Sequence, residues 1–125
     1  MGLIYKFQTG GTNLWNTNRT AFVDSTLGAN KNLDFVKRLY EKNTKSIIVP
    51  GQKHPSTHLM NSSDNLVYPS VVNENGKLSY KNDDNNWEAN DYAIKNKEYI
   101  KFKTPEQANW FASNYKIGTN VLKNR

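Results

Sequence analysis

The stretch EYIKFKTPEQANWFASNY, from Glu98 to Tyr115, carries the clearest structural pattern in the chain. Its first part alternates, with Ile100 and Phe102 on one side, and this predicts a short strand with its other face toward water. Thr104 is placed to cap a helix that has Pro105 at its first helical position. The stretch therefore predicts a strand followed at once by a well-specified helix.

The predicted helix has one apolar face and a clear end. The residues of this face recur at spacings of three and four, which is the period of an α-helix; they are Ala108, Phe111, Ala112 and Tyr115. Gly118 follows and supplies a stop, because glycine accepts the backbone conformations that end helices.

Another helical region is predicted near the start of the chain. Residues 19–43 favour helix with a break near Gly28, and Asn32 is the expected cap of the second half. Lys37 and Arg38 are expected on the solvent side of that half, where positive charge near the C-terminal end suits the helix dipole.

A β-hairpin is predicted in the middle of the chain. Asn75 and Gly76 lie between two runs that carry apolar residues, 66–72 and 78–80, and this dipeptide is typical of tight hairpin turns. Pro69 interrupts the first run, so its position is expected to be an edge or a bulge, because proline cannot donate to a ladder.

Shorter patterns complete the predicted order of elements. Leu3–Phe7 favours a strand or an extended arm, Ser46–Val49 a strand, and Trp87–Ala93 a helix of about three turns. The fold class predicted from this order is α+β, with a small, mainly antiparallel sheet, a hairpin and three to four helices. The predicted domains are an N-terminal arm at residues 1–17 and a single α+β domain at 18–125.

Composition narrows the classes of function. The chain has 125 residues, the size of one ordinary domain, and no cysteine, which excludes disulfides, thiolate nucleophiles and thiolate metal sites. It has no run of about 18 apolar residues and no signal-peptide order at its start, so we expect a soluble product with no membrane partner. No cofactor is predicted.

A basic segment raises the hypothesis of nucleic-acid binding. The net charge is +6, from 17 Lys and Arg against 11 Asp and Glu. Four lysines interleave with aromatic residues in a pattern that resembles a surface for single strands; this segment contains Lys95, Lys97, Tyr99, Lys101 and Lys103. A solvated face of a sheet is the favoured alternative, because Glu98 dilutes the positive charge and Ile100 and Phe102 are needed for the core.

One histidine-containing segment stays without a predicted role. His54 and His58 are four residues apart, but Pro55 disfavours the helix that would bring them together on a metal. Ser56 and Thr57 precede His58, and residues adjacent in sequence rarely face each other as a nucleophile and its base must. We therefore predict no catalytic and no metal-binding residue, and interpret His58 as a hydrogen-bonded structural histidine.

Three groups of residues together carry a resemblance to a known module. They are Arg19–Ser25 running into Leu33–Tyr40; Pro55–Met60 with Val67–Pro69 and Val71-Val72; and Tyr92-Ala93 through Glu98–Phe102 to Ala108, Trp110-Phe111 and Asn114–Lys116. This pattern resembles a module of virion-associated proteins of tailed bacteriophages, including crAss-like phages of Bacteroidetes hosts. It covers most of the chain and carries no established catalytic residues.

The resemblance implies a bacteriophage virion protein that is not an enzyme: a structural, capsid-associated or cargo protein, made in the host bacterial cytoplasm, that binds other virion proteins. Tyr5, Phe7 and Trp15 are the predicted partner contacts, because large rigid aromatics supply much of the energy of interfaces. Two alternatives stay open: a protein that binds DNA through the basic segment, and an accessory module of a phage cell-wall lytic protein. Association with a second copy of the chain also stays open.

Overall fold

A computed structural model of the chain contains two small antiparallel sheets and several helices. It describes residues 14–41, 46–53, 56, 58–84 and 87–121. The predicted α+β class is confirmed. The predicted strand Leu3–Phe7 lies outside the described residues.

The elements follow each other in mixed order along the chain. The helices are α1 (Arg19–Ala29), α2 (Asp34–Tyr40), α3 (Glu88–Asn96) and α4 (Pro105–Asn114), and a 3₁₀ turn at Tyr115–Ile117 follows α4. The strands are β1 (Met60–Ser63), β2 (Leu66–Pro69), β3 (Val71–Glu74), β4 (Lys77–Tyr80) and β5 (Ile100–Lys101). One sheet has the order β1-β2-β5 and the other pairs β3 with β4, with every pairing antiparallel.

The predicted hairpin turn is confirmed, but the predicted first arm is divided between two sheets. Asn75 and Gly76 have φ of 53° and 84°, the left-handed values that a tight two-residue turn requires. The run 66–72 breaks at Ser70: its first part is β2, which pairs with β1, and its second part begins β3. Pro69 is neither an edge strand nor a bulge, because it ends the central strand β2, opposite Met60.

The helix boundaries agree with the local signals at both ends of the chain. The Asn18 side chain caps α1 by accepting from the Ala21 N–H (3.0 Å). The Thr104 hydroxyl caps α4 by accepting from the Gln107 N–H (3.2 Å), as predicted. The break between α1 and α2 is also confirmed. Asn32, however, does not cap α2, because Leu33 occupies the cap position and its side chain makes no capping hydrogen bond.

The predicted strands at 46–49 and 98–103 are shorter than expected. In the first, Ile47 forms only an isolated bridge with Ser56. In the second, only Ile100 and Lys101 pair, with β2. The Phe102 N–H instead donates to the Asn65 carbonyl in the turn between β1 and β2, so the chain leaves the ladder before α4 begins.

Aromatic rings dominate the main core, the larger of two buried apolar clusters. Trp15 packs edge to face on Phe22 and Trp110, with ring centroids 5.1 and 5.4 Å apart. Residues 14–17 are helical and Trp15 is only 9% exposed, so this part of the predicted arm belongs to the domain. Trp15, which the sequence predicted as a partner contact, is therefore part of the main core.

A second cluster covers the opposite face of the three-stranded sheet. Successive residues of a strand point to opposite faces; Val67 accordingly enters the main core, while Tyr68 packs with Ala89 and Ala93 of α3. Tyr99 packs against the same second cluster. The face that we expected to be wet is therefore partly covered by α3, and the sheet lies between α3 and α4.

Candidate functional site

A cleft of about 320 Å³ lies between α2, α3 and the strand β3, beside the end of β2. We call it the polar cleft; its lining residues are Asp34, Arg38, Pro69, Val72, Asn73, Tyr92, Asn96 and Glu98. A groove of about 470 Å³ adjoins it and is lined by Asn73, Glu74, Asn75, Tyr92, Lys95 and Asn96. Three residues, Asn73, Tyr92 and Asn96, line both spaces, so the cleft and the groove are neighbours.

Arg38 ties α2 to the second sheet at the base of the polar cleft. Its Nη2 donates to the Val71 carbonyl at 2.8 Å, and its Nε donates to Asp34 Oδ2 at 3.3 Å. Arg38 is only 7% exposed, which contradicts the prediction that it faces solvent, whereas Lys37 is exposed as expected. A buried guanidinium needs such partners, because burying an unpaired charge is costly.

Glu98 supplies the cap that the sequence around α2 lacks. Its Oε2 accepts from the Asp34 N–H (3.1 Å) and its Oε1 accepts from the Phe35 N–H (3.2 Å). A carboxylate at this end also suits the positive pole of the helix dipole. Burial nevertheless raises the pKa of Glu98 above its usual value, because desolvation outweighs the two backbone hydrogen bonds.

Tyr92 lines the polar cleft and contacts Lys81, the residue that follows β4. Lys81 Nζ lies 5.3 Å from the centroid of the Tyr92 ring and 2.9 Å from Glu74 Oε1. Burial and nearby carboxylates raise the pKa of Tyr92, so its hydroxyl keeps its proton at neutral pH. The Asn96 Nδ2 donates to the Tyr92 carbonyl at 2.9 Å, and this hydrogen bond orients the Asn96 side-chain amide.

The predicted basic segment keeps most of its lysines exposed, but its expected stacking aromatic packs against the protein. Lys95, Lys97 and Lys103 are exposed and Lys101 is half-buried. Tyr99, the expected stacking residue, packs against the second cluster. Of the five, Lys95 is the one that lines the groove.

Neither described residue of the histidine motif, Ser56 or His58, lines the polar cleft. The Ser56 hydroxyl donates to Gln52 Oε1 at 2.8 Å, and His58 is buried just before β1 with 7% of its surface exposed. Thr57 and His54 lie outside the described residues, as do the predicted contacts Tyr5 and Phe7.

The exposed ends of α3 carry two large apolar side chains. Trp87 is 58% exposed and Ile94 is 50% exposed. Trp87 has φ of 58°, a left-handed conformation that is rare for a bulky residue. The sequence predicted a helix from Trp87, but α3 begins one residue later and packs through Ala89 and Ala93.

Among the described residues, no group of three or more acidic or histidine side chains is arranged to hold a metal ion. No helix in the same part of the chain is long and apolar enough to cross a membrane. Comparisons of the chain with protein-family models, curated proteins and solved structures found no match.

Proposed function

We propose that the protein is a non-enzymatic binding component and that, as its resemblance to phage virion proteins implies, its partners are other virion proteins. The observation that carries the proposal is the exposure of Trp87 and Ile94 at the two ends of α3. Exposed tryptophans are frequent anchors of protein interfaces. This surface replaces Trp15 as the expected contact, because Trp15 is packed in the main core.

The ionisable groups of the polar cleft support a role without catalysis. Both carboxylate oxygens of Glu98 accept backbone N–H groups, and Arg38 bridges Asp34 and a strand carbonyl. A general acid or base must instead exchange its proton with a substrate. We interpret these contacts as positioning α2, α3 and β3 relative to one another.

Quantitative mass spectrometry of purified phage particles tests the proposal. The wild-type chain should be present at a fixed copy number. Trp87→Ser and Ile94→Ser together should lower that number, because loss of interface hot spots reduces affinity by roughly 30-fold or more. Ile117→Ser is the matched control, since Ile117 is also an exposed apolar residue but lies beyond α4.

The outcomes separate the two parts of the proposal. Absence of the wild-type chain from particles would contradict the virion role. Undiminished incorporation of the double variant would show that the exposed ends of α3 are not the contact.

Nucleic-acid binding is a second candidate, favoured by the exposure of Lys95, Lys97 and Lys103. Its affinity for single-stranded DNA should fall steeply with salt through counterion release. Lys97→Glu with Lys103→Glu should weaken binding and reduce the salt slope, while Lys37→Glu on α2 should have much less effect. Absence of binding at low salt would remove this candidate.

A further inference from the structure

The polar cleft and its groove are nearly balanced in charge, although the whole chain carries +6. Arg38 contacts Asp34, and Lys81 contacts Glu74. A charged ligand therefore meets groups of its own sign within the site, whereas a neutral polar ligand meets no such conflict. The charged residues that line these spaces or contact their walls are Asp34, Glu74 and Glu98, against Arg38, Lys81 and Lys95.

Several hydrogen-bonding groups at this site have no protein partner among the described residues. Asp34 Oδ1 is a pure acceptor, the Asn73 amide and the Tyr92 hydroxyl both donate and accept, and Asn96 Oδ1 accepts while its Nδ2 is bound to the Tyr92 carbonyl. A hydroxyl donates one hydrogen bond and accepts two. Neighbouring hydroxyls on one small ligand match this mixture of acceptors and donors.

The site also offers a small apolar surface beside its polar groups. Tyr92 lines both the polar cleft and the groove, and the buried residues Pro69 and Val72 also line the cleft. An aromatic ring supplies a flat apolar face beside its polar hydroxyl. The two volumes, about 320 and 470 Å³, fall within the range of small-molecule sites.

From the charge balance, the unused hydrogen-bonding groups and the Tyr92 ring, we infer that the polar cleft binds a neutral saccharide. A sugar ring has an apolar C–H face that packs on Tyr92 and a rim of hydroxyls. Asp34 and Asn96 bind hydroxyls within the cleft, and Asn73 binds the next sugar at its junction with the groove. This inference is independent of the protein contact proposed at Trp87 and Ile94.

An NMR titration of the ¹⁵N-labelled chain tests this site. The probes are maltotriose, cellotriose and tri-N-acetylchitotriose, with inorganic phosphate and spermidine as charged probes. At least one saccharide should shift the amides of Asn73, Tyr92 and Asn96 in a saturable way with a Kd of about 0.1–5 mM. Phosphate and spermidine should leave these three amides nearly unchanged at the same ionic strength.

Variants separate a specific site from general surface binding. Tyr92→Ala should weaken saccharide binding about tenfold or more, and Asn96→Ala about threefold to tenfold, while Tyr92→Phe keeps the ring and should lose less. Asn109→Ala removes an exposed amide from α4, on the opposite face of the sheet, and should not change the affinity. Because Asn96 is exposed, Asn96→Ala decides the matter even if Tyr92→Ala fails to fold.

Three results would overturn the inference. They are an unshifted spectrum with all three saccharides, an affinity that Asn96→Ala and Tyr92→Phe leave unchanged, and phosphate or spermidine binding as tightly as the best saccharide. The particle measurement on the α3 variants is unaffected by any of these, because it depends on Trp87 and Ile94.

Discussion

In the main core, aromatic rings from α1, α4 and the segment after β5 pack on one another, whereas the polar cleft is held by contacts between charged side chains and backbone. Phe102 and Phe111 lie 5.0 Å apart between ring centroids in the first region. In the second, Arg38 reaches the Val71 carbonyl and Glu98 reaches the start of α2. Val71 and Val72 are buried but belong to neither apolar cluster.

The difference shows how this small chain divides its stability between two kinds of contact. Apolar packing is non-directional and scales with buried area, so the main core tolerates small adjustments. Buried polar contacts demand fixed geometry, because a group left unpaired keeps its full desolvation cost. We expect the cleft side to be the less stable part, and the following changes test that comparison.

The largest effect is expected in the main core. Phe111→Ala should lower the free energy of unfolding by about 3–5 kcal/mol, because Phe111 is fully buried and its loss leaves a cavity. Trp87→Ala, an aromatic truncation at an exposed site, should change it by less than about 0.5 kcal/mol. Urea denaturation of both variants measures the free energy of unfolding. A similar decrease in both would contradict the expected difference between the buried and the exposed position.

A second test concerns the contact between Tyr68 and Asp83. Burial and this hydrogen bond (2.6 Å) raise the pKa of Tyr68 to about 12. The folded state keeps a proton that the unfolded state loses near pH 10, so stability should fall by about 2–3 kcal/mol between pH 10 and 12. Tyr68→Phe should remove this fall and Tyr80→Phe should retain it. An unchanged alkaline profile in Tyr68→Phe would contradict the assignment.

On the cleft side, Arg38→Met should lower the free energy of unfolding by about 2 kcal/mol, because the Val71 carbonyl loses its partner. Lys37→Met is the matched control on the neighbouring exposed position and should change stability by less than about 0.5 kcal/mol. Thermal unfolding followed by circular dichroism would measure both. Equal effects would mean that the buried guanidinium contributes nothing.

The smallest effects are expected at two glycines, with opposite signs. Gly76→Ala should cost about 1 kcal/mol, because Gly76 has φ of 84° in the hairpin turn. Gly28→Ala should stabilise by about 0.5–1 kcal/mol, since Gly28 lies in α1 and a Cβ there meets no other atom within 4 Å. Urea denaturation midpoints show whether each variant is stabilised or destabilised. A lower stability of Gly28→Ala would contradict the expectation for α1.

Local signals were sufficient where an element is specified by its own residues. The cap at Thr104 and the turn at Asn75 and Gly76 depend on neighbours within four residues, so sequence patterns predicted them. The hairpin between β1 and β2 was missed, because the segment Met60–Ser63 is mostly polar and its turn contains no glycine.

Long-range contacts could not be predicted in this way. Glu98 caps α2 from 64 residues away, and no pattern near Asn32 indicates that partner. Trp15 is buried because Trp110 meets it from α4, so an isolated aromatic in a polar stretch was misread as a free contact. The polar cleft is formed by α2, α3 and β3 together, and no single one of these segments shows it.

The central claim is that the cleft side of the molecule is less stable than the main core. Native-state hydrogen exchange in the wild type and in Ile100→Val tests it most directly. If the β3–β4 hairpin opens while the main core stays folded, hairpin amides should exchange with a smaller opening free energy than those of β2 and α4. Ile100→Val should then lower the opening free energy of core amides by about 1 kcal/mol and leave that of the hairpin amides unchanged. Equal protection in both regions, lowered equally by the variant, would contradict the account.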